Sequence, residues 1–153
     1  MIETSLKKLG ISLPEAPEAV GSYSPWKIVS GNLLFISGQL PVKGGRLPVK
    51  GKVGLDIGIE KGREAARITA LNALAQAKAA IGDLNKIRQC IKIAGYVNSA
   101  PGFTDHPAVI NGASDLLVDI LGEKGRHTRI AVGVSELPMN APVEVEFLFE
   151  VSI

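Results

Sequence analysis

Arg129 and Glu144 stand inside apolar segments near the C-terminus and are the first candidates for chemistry. The segment "TRIAVGV" alternates Arg129, Ala131 and Gly133 with bulky apolar residues, which is typical of a β-strand with one spacious face. The segment "VEVEFLFEV" alternates in the same way and carries Glu144 away from its bulky side chains. We predict that a short turn joins these two strands into a hairpin and brings Arg129 beside Glu144.

This pair of charges has two interpretations. In the first, Arg129 and Glu144 form a structural salt bridge on a solvated sheet face. In the second, the planar guanidinium of Arg129 offers parallel N–H groups to a bound carboxylate, and the small side chain of Ala131 leaves room for that ligand. The alternation of residues does not choose between the two.

Three further residues have types and positions that suit a binding site. Gly38 ends a predicted strand, where the lack of a side chain lets a ligand or another backbone approach. Tyr23 lies in a Pro-rich segment that could cover a site, and Asn111 is a poor helix former inside a predicted helix. Each also has an ordinary structural interpretation: a strand end, a packed ring and a helix irregularity.

Metal and thiol chemistry are not expected. His106 and His127 are the only histidines, and neither lies at a metal-ligand spacing from a cysteine or another histidine. Cys90 lies within an apolar strand, where it is expected to be a small buried side chain. We therefore predict a site without metal or other cofactor.

Local signals mark where several elements begin and end. The dipeptide Gly31-Asn32 between two apolar runs predicts a hairpin turn. A long alanine-rich helix is expected to begin near Asp56 and to stop at Gly82, and a second helix is expected to follow Asp105.

These elements predict one α+β domain over residues 1–153, with an irregular segment over residues 1–22. The order is two strands, a Gly- and Lys-rich edge element, a helix, a strand, a second helix and two strands. Two helices would cover one face of a mixed sheet. The other face needs a cover of its own, and a second subunit is the expected one.

Composition limits the classes of partner and compartment. The net charge of +2 gives no electrostatic case for nucleic-acid binding. The single cysteine excludes an intramolecular disulfide and suits a reducing compartment. The N-terminal residues contain no apolar run long enough for a signal peptide or a membrane span, so a cytoplasmic protein is expected.

Three segments together resemble one protein family. The segments "GSYSPWKIVSGNLLFISGQLP", "VNSAPGFTDHPAVINGASDLL" and "TRIAVGVSELPMNAPVEVEFLFEV" are similar to the YjgF/RidA/L-PSP family, from about Ala16 onward. The resemblance implies a chorismate-mutase-like fold and a homotrimer whose sheets face inward as a barrel. It also implies three sites in the clefts between subunits.

The resemblance further implies an activity, namely hydrolysis of reactive enamines and imines derived from amino acids to 2-oxo acids and ammonia. In that picture Arg129 holds the substrate carboxylate, Glu144 positions or activates water, and the pocket is lined by Gly38, Tyr23 and Asn111. Many members carry cysteine where this chain has Ala131, so a thiol role is excluded here. Two alternatives stay open: a non-catalytic protein that binds small carboxylates, and the endoribonuclease or translation-inhibitor activity with which the family is often labelled.

Overall fold

The strands form one mixed sheet in the order β1-β2-β5-β3-β4, in a computed structural model that describes residues 1–153. The strands are β1 (Trp26–Val29), β2 (Leu33–Gln39), β3 (Ile87–Asn98), β4 (Thr128–Val134) and β5 (Val143–Val151). The helices are α1 (Ile2–Lys8), α2 (Ile59–Ile81) and α3 (His106–Leu121). The predicted α+β fold class is confirmed.

The predicted C-terminal hairpin is wrong, because β3 lies between β4 and β5. β4 runs parallel to β3, while β5 is antiparallel to both β3 and β2. The connection through α3 makes β3-α3-β4 a crossover unit, which is how parallel neighbours are joined. The link after β4 contains a short 3-10 turn at Pro138–Asn140 and crosses the end of β3 to reach β5.

Helices α2 and α3 pack side by side on one face of the sheet, as predicted. The core between them and the sheet includes Val145, Phe147 and Phe149 of β5, all nearly inaccessible to solvent. The buried face of α2 consists largely of alanines, whose small side chains allow the helix to lie close to the sheet. Burial of this apolar surface is the main stabilising contribution.

The local signals were confirmed in part. The turn at Gly31-Asn32 joins β1 to β2, and α2 ends at Gly82, whose φ is 77°. Helix α2 begins later than predicted, after Gly58, because the Asp56 carboxylate instead accepts a hydrogen bond from the Lys52 backbone N–H.

The prediction that residues 1–22 are irregular is wrong for the first of them, which form helix α1. The short helix α1 buries Ile2 and Leu6 and packs against α3. A helix of this length is unstable alone, so its packing against the rest of the chain decides its structure.

The second face of the sheet has no covering element in this chain. It presents Glu144, Glu146 and Leu148 of β5, together with exposed apolar side chains such as Phe35 and Ile130, which are 45% and 48% accessible. We call this surface the open face. None of the helices combines the length and apolar character that a membrane span requires.

Candidate functional site

Arg129 lies on the helix-covered side of the sheet and is held by α3. Its neighbour in β3 is the buried Ile93, which places both side chains on that side. The Arg129 Nη1 donates to Asn111 Oδ1 at 2.6 Å and to Ser114 Oγ at 3.2 Å. The Nε and Nη2 groups have no partner in the chain, so one edge of the guanidinium stays free for a planar anion.

The predicted contact between Arg129 and Glu144 is absent, and so is the proposed salt bridge. Glu144 is aligned with Tyr96 of β3 and projects from the open face. One full strand and the thickness of the sheet separate the two side chains. The alternation on β4 was assigned to the wrong side: its small residues face α3, and its bulky residue Ile130 is exposed.

The small residues of β4 allow α3 and its preceding loop to approach. Ala131 packs against the edge of the core on the same side as Arg129. A Cβ at Gly133 would lie 2.4 Å from His106 Nε2 and 2.6 Å from Ser99 Oγ, so any larger residue here would displace these two side chains. Ser99 and His106 are themselves hydrogen-bonded at 3.0 Å, a Ser–His pair that the sequence did not reveal. No carboxylate is bonded to the other ring nitrogen.

Glu144 is half-buried and makes no hydrogen bond within the chain. Burial raises the pKa of this carboxyl above its usual value, and the nearby negative charge of Glu146 adds to the effect. Glu146 itself accepts a hydrogen bond from the Tyr96 hydroxyl at 3.2 Å. A carboxylate with a raised pKa and free lone pairs is well suited to accept a proton near neutral pH.

Tyr23, Gly38 and Glu144 line one cavity of about 640 Å³ at the end of β2 and β5. This volume lies within the range of small-molecule sites. The structure therefore brings together three of the predicted site residues and leaves Arg129, Asn111 and Ala131 in a second group. Neither group is complete by itself.

The cavity also contains two buried amides that sequence reasoning missed. Gln39 and Gln76 are 5% and 2% accessible, and each donates its NH₂ to a backbone carbonyl, of Ser37 and Pro17 respectively. Each amide oxygen has no partner in the chain, so both remain available as acceptors for a ligand. Alternation along β2 could not single out Gln39, because it follows the bulge at Gly38.

The approach of Gly38 to Glu144 gives a first prediction. A Cβ at Gly38 would lie 2.3 Å from Glu144 Oε1. Because that atom ends a flexible side chain, we expect Gly38→Ala to fold normally but to displace the carboxylate and reduce kcat by about tenfold or more for any reaction in which Glu144 accepts a proton. The matched control is Gly58→Ala, where the added Cβ meets no atom within 4 Å. Equal kinetics for the two variants would show that the position of the Glu144 carboxylate is unimportant.

Comparisons with known proteins agree with the fold. Residues 3–151 match the family model described as "YjgF/chorismate_mutase-like, putative endoribonuclease". Protein TCP17 of Trypanosoma cruzi is 41% identical over 152 residues, which cover 99% of this chain and 94% of that protein.

Two solved structures illustrate the range of similarity. A protein of unknown function from Agrobacterium tumefaciens is 49% identical, with a TM-score of 0.91 and coverage of 99% of this chain and 92% of that one. E. coli TdcF, solved with bound serine, is 26% identical, with a TM-score of 0.63 and coverage of 90% of this chain and 94% of that one.

Proposed function

The chain belongs to the YjgF/chorismate-mutase-like family, and on that premise we propose that it hydrolyses reactive enamines and imines derived from amino acids. The products are a 2-oxo acid and ammonia. The observation that carries the proposal is the guanidinium of Arg129, which α3 fixes through one nitrogen while its Nε/Nη2 edge stays free.

That free edge matches the carboxylate that every amino-acid-derived imine carries. Two parallel charge-assisted hydrogen bonds would fix both the position and the orientation of the substrate. The presence of serine in the E. coli TdcF structure supports binding of a small carboxylate within this fold. Asn111 and Ser114 hold the arginine without neutralising its charge, which leaves the full charge for the ligand.

Glu144 supplies the proton acceptor in this proposal. An iminium carbon is electrophilic, and the attacking water needs mainly orientation and the removal of one proton. Glu144 accepts that proton as the C–O bond forms and the C=N electron pair moves to nitrogen. Glu144 then returns its proton to the nitrogen of the resulting carbinolamine. The C–N bond breaks as the C=O bond forms, and the hydroxyl proton passes to the departing ammonia, which leaves as ammonium.

The two groups of residues meet only if the site lies between copies of the chain. Within one chain Arg129 and Glu144 lie on opposite sides of the sheet, on strands separated by β3. β4 is an edge strand, and the open face beside the cavity has no cover. We therefore propose a homotrimer in which Arg129 of one subunit faces the Tyr23–Gly38–Glu144 cavity of the next.

Mixed assemblies provide a direct test of the shared site. Arg129→Ala and Glu144→Gln are each expected to retain about 1% of wild-type activity or less when assembled alone. After joint refolding, about a quarter of the interfaces combine an intact arginine with an intact glutamate, so about a quarter of wild-type activity is expected to return. Activity is followed as 2-oxo acid release from 2-aminoacrylate made by a dehydratase. Trimer mass by light scattering with no recovered activity would contradict a site shared between subunits.

The same assay separates the alternative functions. Binding of 2-oxobutanoate measured by calorimetry, without acceleration of imine hydrolysis, would indicate a binding protein. RNA cleavage that survives both substitutions would place a nuclease activity elsewhere on the molecule.

A further inference from the structure

We propose that His127 is a positioning residue for Arg129, acting through the hydroxyl of Ser114 and only as the neutral imidazole. This inference rests on the carboxylate-binding role proposed for Arg129. The carrying observation is a continuous chain of hydrogen bonds. Arg129 Nη1 lies 3.2 Å from Ser114 Oγ, which lies 2.9 Å from His127 Nε2, and His127 Nδ1 lies 2.6 Å from the Gly125 carbonyl oxygen.

The chemistry of the end groups fixes the direction of every bond in this chain. The Gly125 carbonyl can only accept, so Nδ1 carries the proton of the neutral ring. Nε2 is then an acceptor, and it takes the hydroxyl proton of Ser114. That orientation turns a lone pair of Ser114 Oγ toward Arg129, which can only donate. Each group therefore holds the next one in a single orientation.

Protonation of His127 would break this order. Nε2 would become a donor, and Ser114 Oγ would face N–H groups from two cations. Burial lowers the pKa of His127, the Gly125 hydrogen bond opposes that shift, and the charge of Arg129 lowers the pKa further. The ring is therefore neutral at pH 7, and Arg129 keeps its acceptor.

The imidazole ring of His127 has neighbours on α3, on β4 and in the turn that precedes β4. From α3 the ring meets the uncharged Ser114, and from β4 the charge of Arg129 acts on it. Glu123 and Arg126 of the preceding turn pair with each other at 3.1 Å. Three other charged residues lie nearby in sequence or strand register. Lys92 of β3 is aligned with Thr128, Asp115 follows Ser114 in α3, and Lys124 lies in the turn before β4.

Two substitutions of His127 separate positioning from packing. The Oε1 of His127→Gln can replace Nε2 as the acceptor for Ser114, whereas the shorter side chain of His127→Asn reaches only the position of Nδ1. We expect His127→Asn and Ser114→Ala to raise KM for the imine by about five- to tenfold with little change in kcat, the size of one hydrogen bond. His127→Gln should stay within about twofold of wild type. A loss of the same size in both His127 variants would overturn the proposal.

The pH dependence of binding is a second readout. In a Glu144→Gln background, which removes that titrating group, the Kd for 2-oxobutanoate should rise as the pH falls through the pKa of His127. The same measurement on Glu144→Gln/His127→Gln should show no such rise. A rise of equal size in both would assign the effect to another group and contradict the proposal.

NMR tests the positioning step even if the proposed catalytic function fails. The ¹⁵N shifts of His127 should show a protonated Nδ1, and the Arg129 Nε–H resonance should shift as His127 titrates. Ser114→Ala should abolish the shift. A wild-type protein that shows this shift of the Arg129 resonance and yet neither binds 2-oxobutanoate nor hydrolyses imines would support the positioning of Arg129 by His127 and would contradict the proposed function. If the Arg129 resonance does not respond, the positioning proposal is wrong, whatever the activity.

Discussion

Replacing Arg129 by alanine is expected to lower kcat/KM for imine hydrolysis by about two to three orders of magnitude. Removing one partner of a bidentate charged pair at a binding site typically costs about 2–5 kcal/mol, and each 1.4 kcal/mol corresponds to a factor of about ten. The Kd for 2-oxobutanoate should rise by a comparable factor, because the same contact holds product and substrate. Steady-state kinetics and calorimetry measure the two effects.

The fold should tolerate this substitution. Arg129 is exposed, and the hydrogen bonds that it loses, to Asn111 and Ser114, are partly accessible to water. The matched control is Arg126→Ala, since Arg126 is an exposed arginine three residues away that pairs with Glu123. Arg129→Lys keeps the charge but not the two parallel N–H donors, so an intermediate loss of kcat/KM is expected. Wild-type activity in Arg129→Ala, or an equal loss in Arg126→Ala, would rule out the carboxylate role.

The parts of the fold that sequence predicted correctly depend on local chemistry. Gly31-Asn32 allows a tight turn whatever lies around it, and Gly82 stops α2 because it adopts a positive φ. The C-terminal hairpin failed because strand order is not local. Nothing in the alternation of β4 and β5 states that β3 lies between them, and a crossover through α3 settles their order.

For the site, too, the sequence indicated the residue types but not where the fold places them. Tyr23, Gly38 and Glu144, which the family resemblance assigned to one pocket together with Arg129, line one cavity in the structure. The residue types also indicated a guanidinium beside small residues. They misplaced Arg129, because small side chains on a strand are equally compatible with an open pocket and with a closely packed helix. Ser114 was missed although it lies one helical turn after Asn111, a spacing that places both side chains on the same face of α3.

Within one chain, the separation of Arg129 from Glu144 removes the structural salt bridge that the sequence left open. A carboxylate paired with Arg129 could neither activate water nor leave the arginine free for substrate. Within one chain, α3 holds the arginine with the neutral groups of Asn111 and Ser114, and Glu144 lies beyond its reach. In the proposed site between subunits, the substrate carboxylate would pair with Arg129 and leave Glu144 free to act on water.

Replacing Glu144 by glutamine is the second prediction with a large expected effect. We expect kcat to fall by about 10²-fold or more, the usual contribution of a positioned general base, while KM changes little. Glutamine keeps the size of the side chain but cannot accept the proton of the water. Fold and assembly should persist, and stability should not decrease. Because burial raises the pKa of Glu144 in the folded state, its ionised form opposes folding at pH values above that pKa, and this destabilisation is absent in the amide.

The dependence of kcat on pH tests whether Glu144 acts in its ionised form. Activity requires ionised Glu144, so kcat should fall with decreasing pH through a pKa that lies above the usual glutamate value. Because the charge of Glu146 contributes to that raised pKa, Glu146→Gln should shift the acidic limb toward lower pH while the enzyme stays active. The matched control is Glu150→Gln, a change to a carboxylate farther along β5 that pairs with the Gln89 amide at 2.7 Å. An acidic limb that remains in place in Glu146→Gln would assign it to a group other than Glu144. A kcat that survives Glu144→Gln would show that catalysis does not use Glu144 as its base, and would leave only the proposed contact between Arg129 and the substrate carboxylate.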